Sequence, residues 1–131
     1  MARVKLSGRL TSGQGEGAFF ARAEWARRQF MAKLGIDPYP GTLNVMVDTE
    51  TGRETWRKVK ARHGHTIEAP DPEWCNGRCY PVTVCGKVKG AIVLPEVENY
   101  PADQIEIIAA TGIREALALR DGDPVILEIE V

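Results

Sequence analysis

Apolar and polar positions alternate along much of the chain, and a period of two is typical of β-strands. In the clearest stretch, Asn44 and Met46 separate Leu43, Val45 and Val47. Together with clusters of branched apolar residues, the alternation predicts six strands, at 4–10, 43–48, 79–84, 90–95, 104–110 and 124–131. The chain is therefore expected to be mainly β.

One segment has a helical period instead. Apolar residues recur there at steps of three and four, which place them on one face of a helix: Phe19, Ala23, Ala26, Phe30 and Leu34. Gly35 is suited to end this helix, and a short second helix is predicted at 112–119. Residues 49–78 are polar and rich in turn formers, and no element is predicted for them. Short strands around one main helix indicate a small β-barrel or α+β fold.

Length and composition indicate one globular domain that spans residues 1–131. No apolar run approaches the roughly 18 residues that a membrane-spanning helix needs. The first residues, MARVKLSGRL, lack the apolar stretch of an export signal. We therefore expect a cytoplasmic protein that has no membrane partner, and we expect it to act as a monomer.

Charge is distributed unevenly although the net charge is only −1, a value that argues against bulk nucleic-acid binding. Residues 1–65 hold 12 Lys and Arg against 6 Asp and Glu, whereas residues 66–131 hold 5 against 12. An anionic ligand would prefer the first half. Alternatively, the two oppositely charged surfaces only neutralise each other.

Cysteine and histidine residues gather in the middle of the chain, which has three cysteines and therefore no complete disulfide framework. Cys75, Cys79 and Cys85 follow His63 and His65, a set that could hold a metal ion. The Cys-x3-Cys spacing differs from the tight Cys-x2-Cys of structural zinc sites. Reduced, partly buried thiols are the favoured interpretation, and we predict that folding needs no metal.

The glycine-rich stretch GQGEG at 13–17 lies between a predicted strand and a predicted helix. Alternate glycines allow successive backbone N–H groups to converge on one point, and the following helix directs its positive dipole end there. This arrangement could hold a phosphate, but a glycine-rich hairpin without a ligand has the same sequence. The stretch is not a P-loop and does not fit G-x-G-x-x-G.

Two further positions could carry chemistry. Thr42 and Asn44 share one face of a predicted strand, and their neutral oxygens suit Mg²⁺ that arrives with phosphates. Alternatively, they cap the turn formed by the preceding Pro-Tyr-Pro-Gly. Glu106 opens a strongly apolar strand, where its carboxylate could accept hydrogen bonds from a ligand or face solvent.

Taken in order, these stretches resemble the archaeal-type CTP-dependent riboflavin kinases. The resemblance is carried by SGQGEGAFF, LGIDPYPGTLNV, GAIVLP, YPADQIEIIA and IREALALRDGDPV, and it covers most of the chain apart from 49–78. The family transfers the γ-phosphoryl group of CTP to the 5′-hydroxyl of riboflavin, which yields FMN and CDP. The resemblance therefore implies that this chain is a kinase with the family's fold, a six-stranded cradle-loop β-barrel.

The resemblance also implies roles for individual residues. Thr42 and Asn44 would hold Mg²⁺ and serve catalysis, and Glu106 would contact the flavin nucleotide. The cytidine nucleotide would be bound by two segments: Gly13, Gln14, Gly15, Glu16, Gly17 and Ala18, and Thr111, Gly112, Ile113 and Arg114.

Glu98 departs from the family pattern. The register set by Pro95 and Glu106 places Glu98 where the family tends to have a threonine that binds the phosphate of the product. Because a carboxylate repels a phosphate, the substrate is either riboflavin or another small alcohol. A non-catalytic barrel that binds a nucleotide or DNA is a further alternative. The near-neutral net charge and the presence of Thr42 and Asn44 argue against it.

Overall fold

The structure, a computed structural model, describes residues 3–12 and 17–131, the first three residues of the second range by their backbone alone. The elements follow one another as β1 (Arg3–Thr11), α1 (Gly17–Arg22), α2 (Glu24–Leu34), β2 (Leu43–Met46), α3 (Glu50–Lys60), β3 (His65–Ile67), β4 (Gly77–Val84), β5 (Val88–Pro95), β6 (Gln104–Ala109), α4 (Ile113–Ala116) and β7 (Pro124–Glu130). None of the helices in the described part of the chain is long and apolar enough to cross a membrane.

Six of the strands close into an antiparallel barrel. Their order around the ring is β4-β5-β6-β2-β1-β7, and the pairing of β7 with β4 completes the ring. β3 extends the sheet at one edge of β4. The six barrel strands are those expected from the alternating pattern, so the prediction of a mainly β, six-stranded barrel is confirmed.

Alternate side chains of the barrel strands build two separate apolar layers. Those that point inward form the barrel core, which includes the almost completely buried Leu10, Val45, Ile92, Ile105 and Leu127. Those that point outward from β4, β5 and β6 pack beneath α1 and α2, where Phe20, Phe30, Cys79, Val93 and Ile108 are buried together. The outer face of these strands is thus buried as their inner face is, and burial on both faces explains their nearly continuous apolar sequence.

The helical prediction needs two corrections. The single main helix expected around 19–34 is two helices, because the backbone at Ala23 is extended (φ −75°, ψ 126°) between α1 and α2. The apolar spacing continues across this break and so conceals it. Gly35 ends α2 as predicted, with a left-handed backbone (φ 68°) and its N–H donating to the Met31 carbonyl.

The second correction concerns residues 49–78, where no element was expected and the structure has α3. Thr49 caps this helix, because its hydroxyl oxygen accepts a hydrogen bond from the Gly52 N–H at 2.9 Å. Trp56 and Val59 on α3 are buried and belong to the barrel core. The helix therefore packs against the barrel with one narrow apolar face, and its other positions are polar.

Candidate functional site

A cavity of about 150 Å³ opens where β2 begins and β6 ends. The two positions are neighbours because Leu43 pairs with Ile107 across the antiparallel strands. The lining of the cavity includes six residues with polar or aromatic side chains or a glycine backbone: Tyr39, Thr42, Thr111, Gly112, Arg114 and Glu115. Residues 39–42 and 111–114, including Ile113, are far apart in sequence but line the same cavity.

The Pro-Tyr-Pro-Gly turn is anchored beside this cavity. The Tyr39 N–H donates to the Ala109 carbonyl at 2.8 Å, which ties the turn to the end of β6. Gly41 has φ 101°, a backbone conformation that side-chain-bearing residues rarely adopt. The turn therefore needs its glycine, and it delivers Thr42 to the entrance of β2.

Thr42 and Asn44 lie together, as the period of two predicts. The Thr42 hydroxyl donates to Asn44 Oδ1 over 3.2 Å, and Asn44 is 7% exposed. Leu43 and Val45 point into the barrel, so Asn44 points to the outer face. The pair is compatible with a ligand site and with the alternative of a capped turn, since its two oxygens meet in either case.

Glu106 lies directly opposite Asn44 across the β2–β6 pairing, and Asn44 also pairs with Thr11 at the end of β1. Opposite side chains in a sheet have Cβ atoms roughly 5 Å apart. The three polar residues therefore form a row across β1, β2 and β6. The predicted glycine loop begins two residues after Thr11.

Glu106 is fully buried, so the alternative that it faces solvent is wrong. Its Oε1 accepts a hydrogen bond from Gln104 Nε2 at 2.8 Å, and the same amide donates to the Tyr100 hydroxyl at 3.3 Å. The sequence reasoning missed Gln104 and Tyr100. A signal for Gln104 was present, because residues two apart on a strand share a face.

Only the end of the glycine-rich segment belongs to the described residues. Gly13, Gln14, Gly15 and Glu16 lie outside the described residues, so the phosphate cradle predicted there stays a prediction. Gly17 and Ala18 begin α1, which has only six residues. So short a helix contributes little of the dipole that the prediction invoked.

Arg114 projects from the short helix α4 at the cavity. Its Nη1 lies 2.9 Å from Asp121 Oδ1, and both side chains are about half exposed. An ion pair this exposed contributes little to stability. The ion pair restricts the orientation of Arg114, which lines the cavity together with Thr111 and Gly112.

Glu98 is not in this cavity. It lies in the loop between β5 and β6 and lines a separate groove of about 460 Å³ with Lys60, Arg78 and Tyr100. The loop that carries Glu98 precedes β6, and Thr111 follows β6. The six residues of β6, which span about 20 Å, therefore separate the two positions. Two cations share this groove with Glu98. Burial lowers the pKa of Lys60, and Arg78 pairs with Glu96 at 3.0 Å.

None of the three cysteines forms a disulfide in the part of the chain that the structure describes. Cys79 is fully buried, and burial raises the pKa of its thiol to about 12. Cys75 and Cys85 are partly buried. Within 3–12 and 17–131, no three His, Cys, Asp or Glu side chains gather as a metal site would require. That folding needs no metal stays a prediction.

Comparison with known proteins agrees with the motifs quoted above. A family model named CTP-dep_RFKase, with the description "Domain of unknown function DUF120", matches residues 10–129. A protein named "Riboflavin kinase" from Pyrobaculum islandicum is 43% identical over 132 residues, which cover 96% of this chain and 60% of the relative.

Two further relatives carry the same name. The one from Methanosarcina barkeri is 36% identical over 129 residues, covering 97% of this chain and 57% of the relative. The one from Archaeoglobus fulgidus is 37% identical over 133 residues, covering 98% and 54%. The chain thus spans little more than half the length of these relatives. The match over nearly all of this chain means that it belongs to the CTP-dep_RFKase family.

Proposed function

We propose that the chain transfers the γ-phosphoryl group of CTP to the 5′-hydroxyl of riboflavin with the help of Mg²⁺. One observation carries the proposal. Thr42 shares a cavity with 111–114 and is hydrogen-bonded to Asn44, which in turn lies opposite Glu106. Thr42, assigned to the metal, thus lines the same cavity as 111–114, and its partner Asn44 pairs with Glu106, which is assigned to the flavin. The name "Riboflavin kinase" of the relatives supports the choice of acceptor.

The oxygens of Thr42 and Asn44 fit a magnesium ion. They lie 3.2 Å apart, and adjacent ligands of an octahedral ion with bonds of about 2.1 Å are roughly 3 Å apart. Both are neutral, so the negative ligands would come from the nucleotide phosphates. When bound, Mg²⁺ supplies neutralisation of the charge on the transferring phosphoryl group.

The chain's own residues would then position the reactants. Phosphoryl transfer needs little covalent chemistry from the protein, because orientation and charge neutralisation lower most of the barrier. Arg114, held by Asp121, offers a cation at the cavity that holds the nucleotide. Glu106, held by Gln104, lies on the other side of Asn44 and is buried, so its proposed contact with the flavin requires neighbouring side chains to move.

Glu98 favours a second candidate, a CTP-dependent kinase of another small alcohol. Its carboxylate would repel a product phosphate. Lys60 lines the same groove, and its positive charge offsets part of that repulsion, whereas Arg78 is paired with Glu96. Riboflavin therefore remains the first candidate.

Nucleotide choice provides the first test. The purified chain is expected to phosphorylate riboflavin with a kcat/KM that is roughly tenfold or more higher with CTP than with ATP. The measurement separates FMN from riboflavin after timed reactions with each nucleotide and Mg²⁺. Equal rates with ATP would contradict the assignment of CTP. Turnover of CTP only with a different alcohol would favour the second candidate.

Replacing Glu98 with threonine tests the substrate. If riboflavin is the acceptor, Glu98→Thr should tighten FMN binding by about 1 kcal/mol, or roughly fivefold, because a hydroxyl donor replaces a repelling carboxylate. Titration of the quenching of flavin fluorescence measures the affinity. Glu68→Thr, an exposed substitution outside the groove, serves as the control. Unchanged or weaker binding in Glu98→Thr would mean that Glu98 is not near the phosphate of FMN.

A further inference from the structure

One part of the cavity wall is formed by Tyr39, Gly112 and Glu115. A Cβ atom on Gly112 would collide with Glu115 Oε2 and would lie 3.2 Å from Cε1 of the Tyr39 ring. The missing side chain of Gly112 therefore lets a carboxylate and an aromatic ring approach each other at the cavity rim. Tyr39 is 49% exposed although it is a large aromatic residue.

Glu115 differs from its charged neighbour Arg114. Arg114 is engaged by Asp121, whereas the Glu115 carboxylate makes no hydrogen bond or ion pair within the part of the chain that the structure describes. Both carboxylate oxygens can therefore accept hydrogen bonds from a ligand. An ionised carboxylate only accepts, and this property sets the chemistry of the group that it can recognise.

The cavity has both polar and apolar lining. Thr42, which is hydrogen-bonded to Asn44, is polar, whereas Ile107, Ala109 and Ile113 are apolar. A planar, mostly apolar ring with polar edge groups fits such a lining beside an aromatic side chain. The phosphates of a nucleotide would then point toward Thr42, and its base would lie against Tyr39.

We propose that Glu115 selects the base of the nucleotide by accepting a hydrogen bond from the exocyclic amino group of cytosine, while the Tyr39 ring stacks on the base. This inference rests on the proposed use of CTP. Uracil has the same shape as cytosine but presents a carbonyl oxygen where cytosine presents the amino group. That oxygen would face the carboxylate without a proton between them, so UTP is rejected.

Glu115→Gln tests the proposal, because a glutamine amide can either accept from the amino group or donate to the carbonyl. The ratio of kcat/KM for CTP to that for UTP is expected to fall roughly tenfold to a hundredfold in the variant. Binding of CDP and UDP, measured by calorimetry, should converge in the same way. Glu68→Gln, which removes an exposed carboxylate elsewhere, should leave the ratio at the parent value.

A nucleotide with an altered base isolates the contact. Pyrimidin-2-one ribonucleoside triphosphate lacks the exocyclic amino group but keeps the ring. The parent protein should use it at least tenfold less well than CTP, and Glu115→Ala, which removes the acceptor, should lose most of this preference. Tyr39→Leu should raise KM for every nucleotide, whereas Tyr39→Phe, which keeps the ring, should behave like the parent.

The outcomes separate this inference from the proposed function. A parent protein that turns over CTP and UTP equally well, or a CTP preference unchanged in Glu115→Gln, would overturn the role of Glu115 and leave the kinase assignment intact. A parent protein that binds and turns over no cytidine nucleotide would overturn the proposed function itself.

Discussion

Asn44→Ala is expected to lower turnover of riboflavin and CTP by about 10²–10³, the usual cost of losing one well-placed electrostatic stabiliser. Asn44 points away from the barrel core, so Leu43 and Val45 keep their packing. The loss of its hydrogen bond with Thr42 should cost about 1 kcal/mol of stability, which leaves the barrel folded. Steady-state kinetics at several Mg²⁺ concentrations, beside thermal unfolding, measure both effects.

Asn76→Ala is a matched control for this experiment. Asn76 Oδ1 accepts a hydrogen bond from the Ala69 N–H at 2.8 Å in a loop outside the cavity, so the variant loses a comparable interaction. It should show a similar change in stability and unchanged kinetics. Thr42→Val, which keeps the shape and removes the oxygen, should reduce activity as strongly as Asn44→Ala.

The interpretation of this pair as a metal site has two ways to fail. Activity of Asn44→Ala within about threefold of the parent would mean that the pair does not hold the metal. Activity that falls only in proportion to unfolded protein would mean that Thr42 and Asn44 serve to cap the turn.

Trp56→Ala is expected to lower the free energy of unfolding by about 3–5 kcal/mol, the range for a large aromatic removed from a core. Trp56 is 1% exposed and packs edge-on against Tyr80, with ring centroids 6.4 Å apart. No neighbouring element can fill the cavity left in a closed barrel without distorting its strands. Urea denaturation, followed by the fluorescence of the remaining tryptophans, measures the loss.

Trp74→Ala is the control for the same residue type. Trp74 is 45% exposed and stacks on Trp25 with a centroid distance of 5.8 Å. Its removal should cost about 1 kcal/mol, the contribution of one aromatic pair. Equal losses in the two variants would show that α3 is not part of the barrel core.

The local pattern of the sequence predicted the barrel strands but could not predict how they close. Alternation depends on neighbouring residues, and therefore 43–48 and 104–110 could be recognised without knowing their partners. Closure depends on β4 pairing with β7, whose residues Val82 and Ile129 lie far apart in sequence. No local pattern encodes such a pairing.

For the helices, the local pattern failed to predict the elements themselves. The helix at 50–60 was missed because only Gly52, Trp56 and Val59 are buried on it, and so few apolar positions do not stand out in a polar segment. The capping residue Thr49 was the available local signal. The break at Ala23 was missed because the apolar spacing continues through it, although the backbone does not.

For the site, the sequence by itself determined the residue types and the family. Thr42 and Asn44 share a face because residues two apart along extended backbone point to the same side, and the motifs around them identified the relatives. Only the tertiary structure decided which distant residues meet. The β2–β6 register places Glu106 opposite Asn44 and buries it, while the length of β6 keeps Glu98 away from Thr111. These facts depend on strand pairing and burial, which arise from contacts between residues that are distant in sequence.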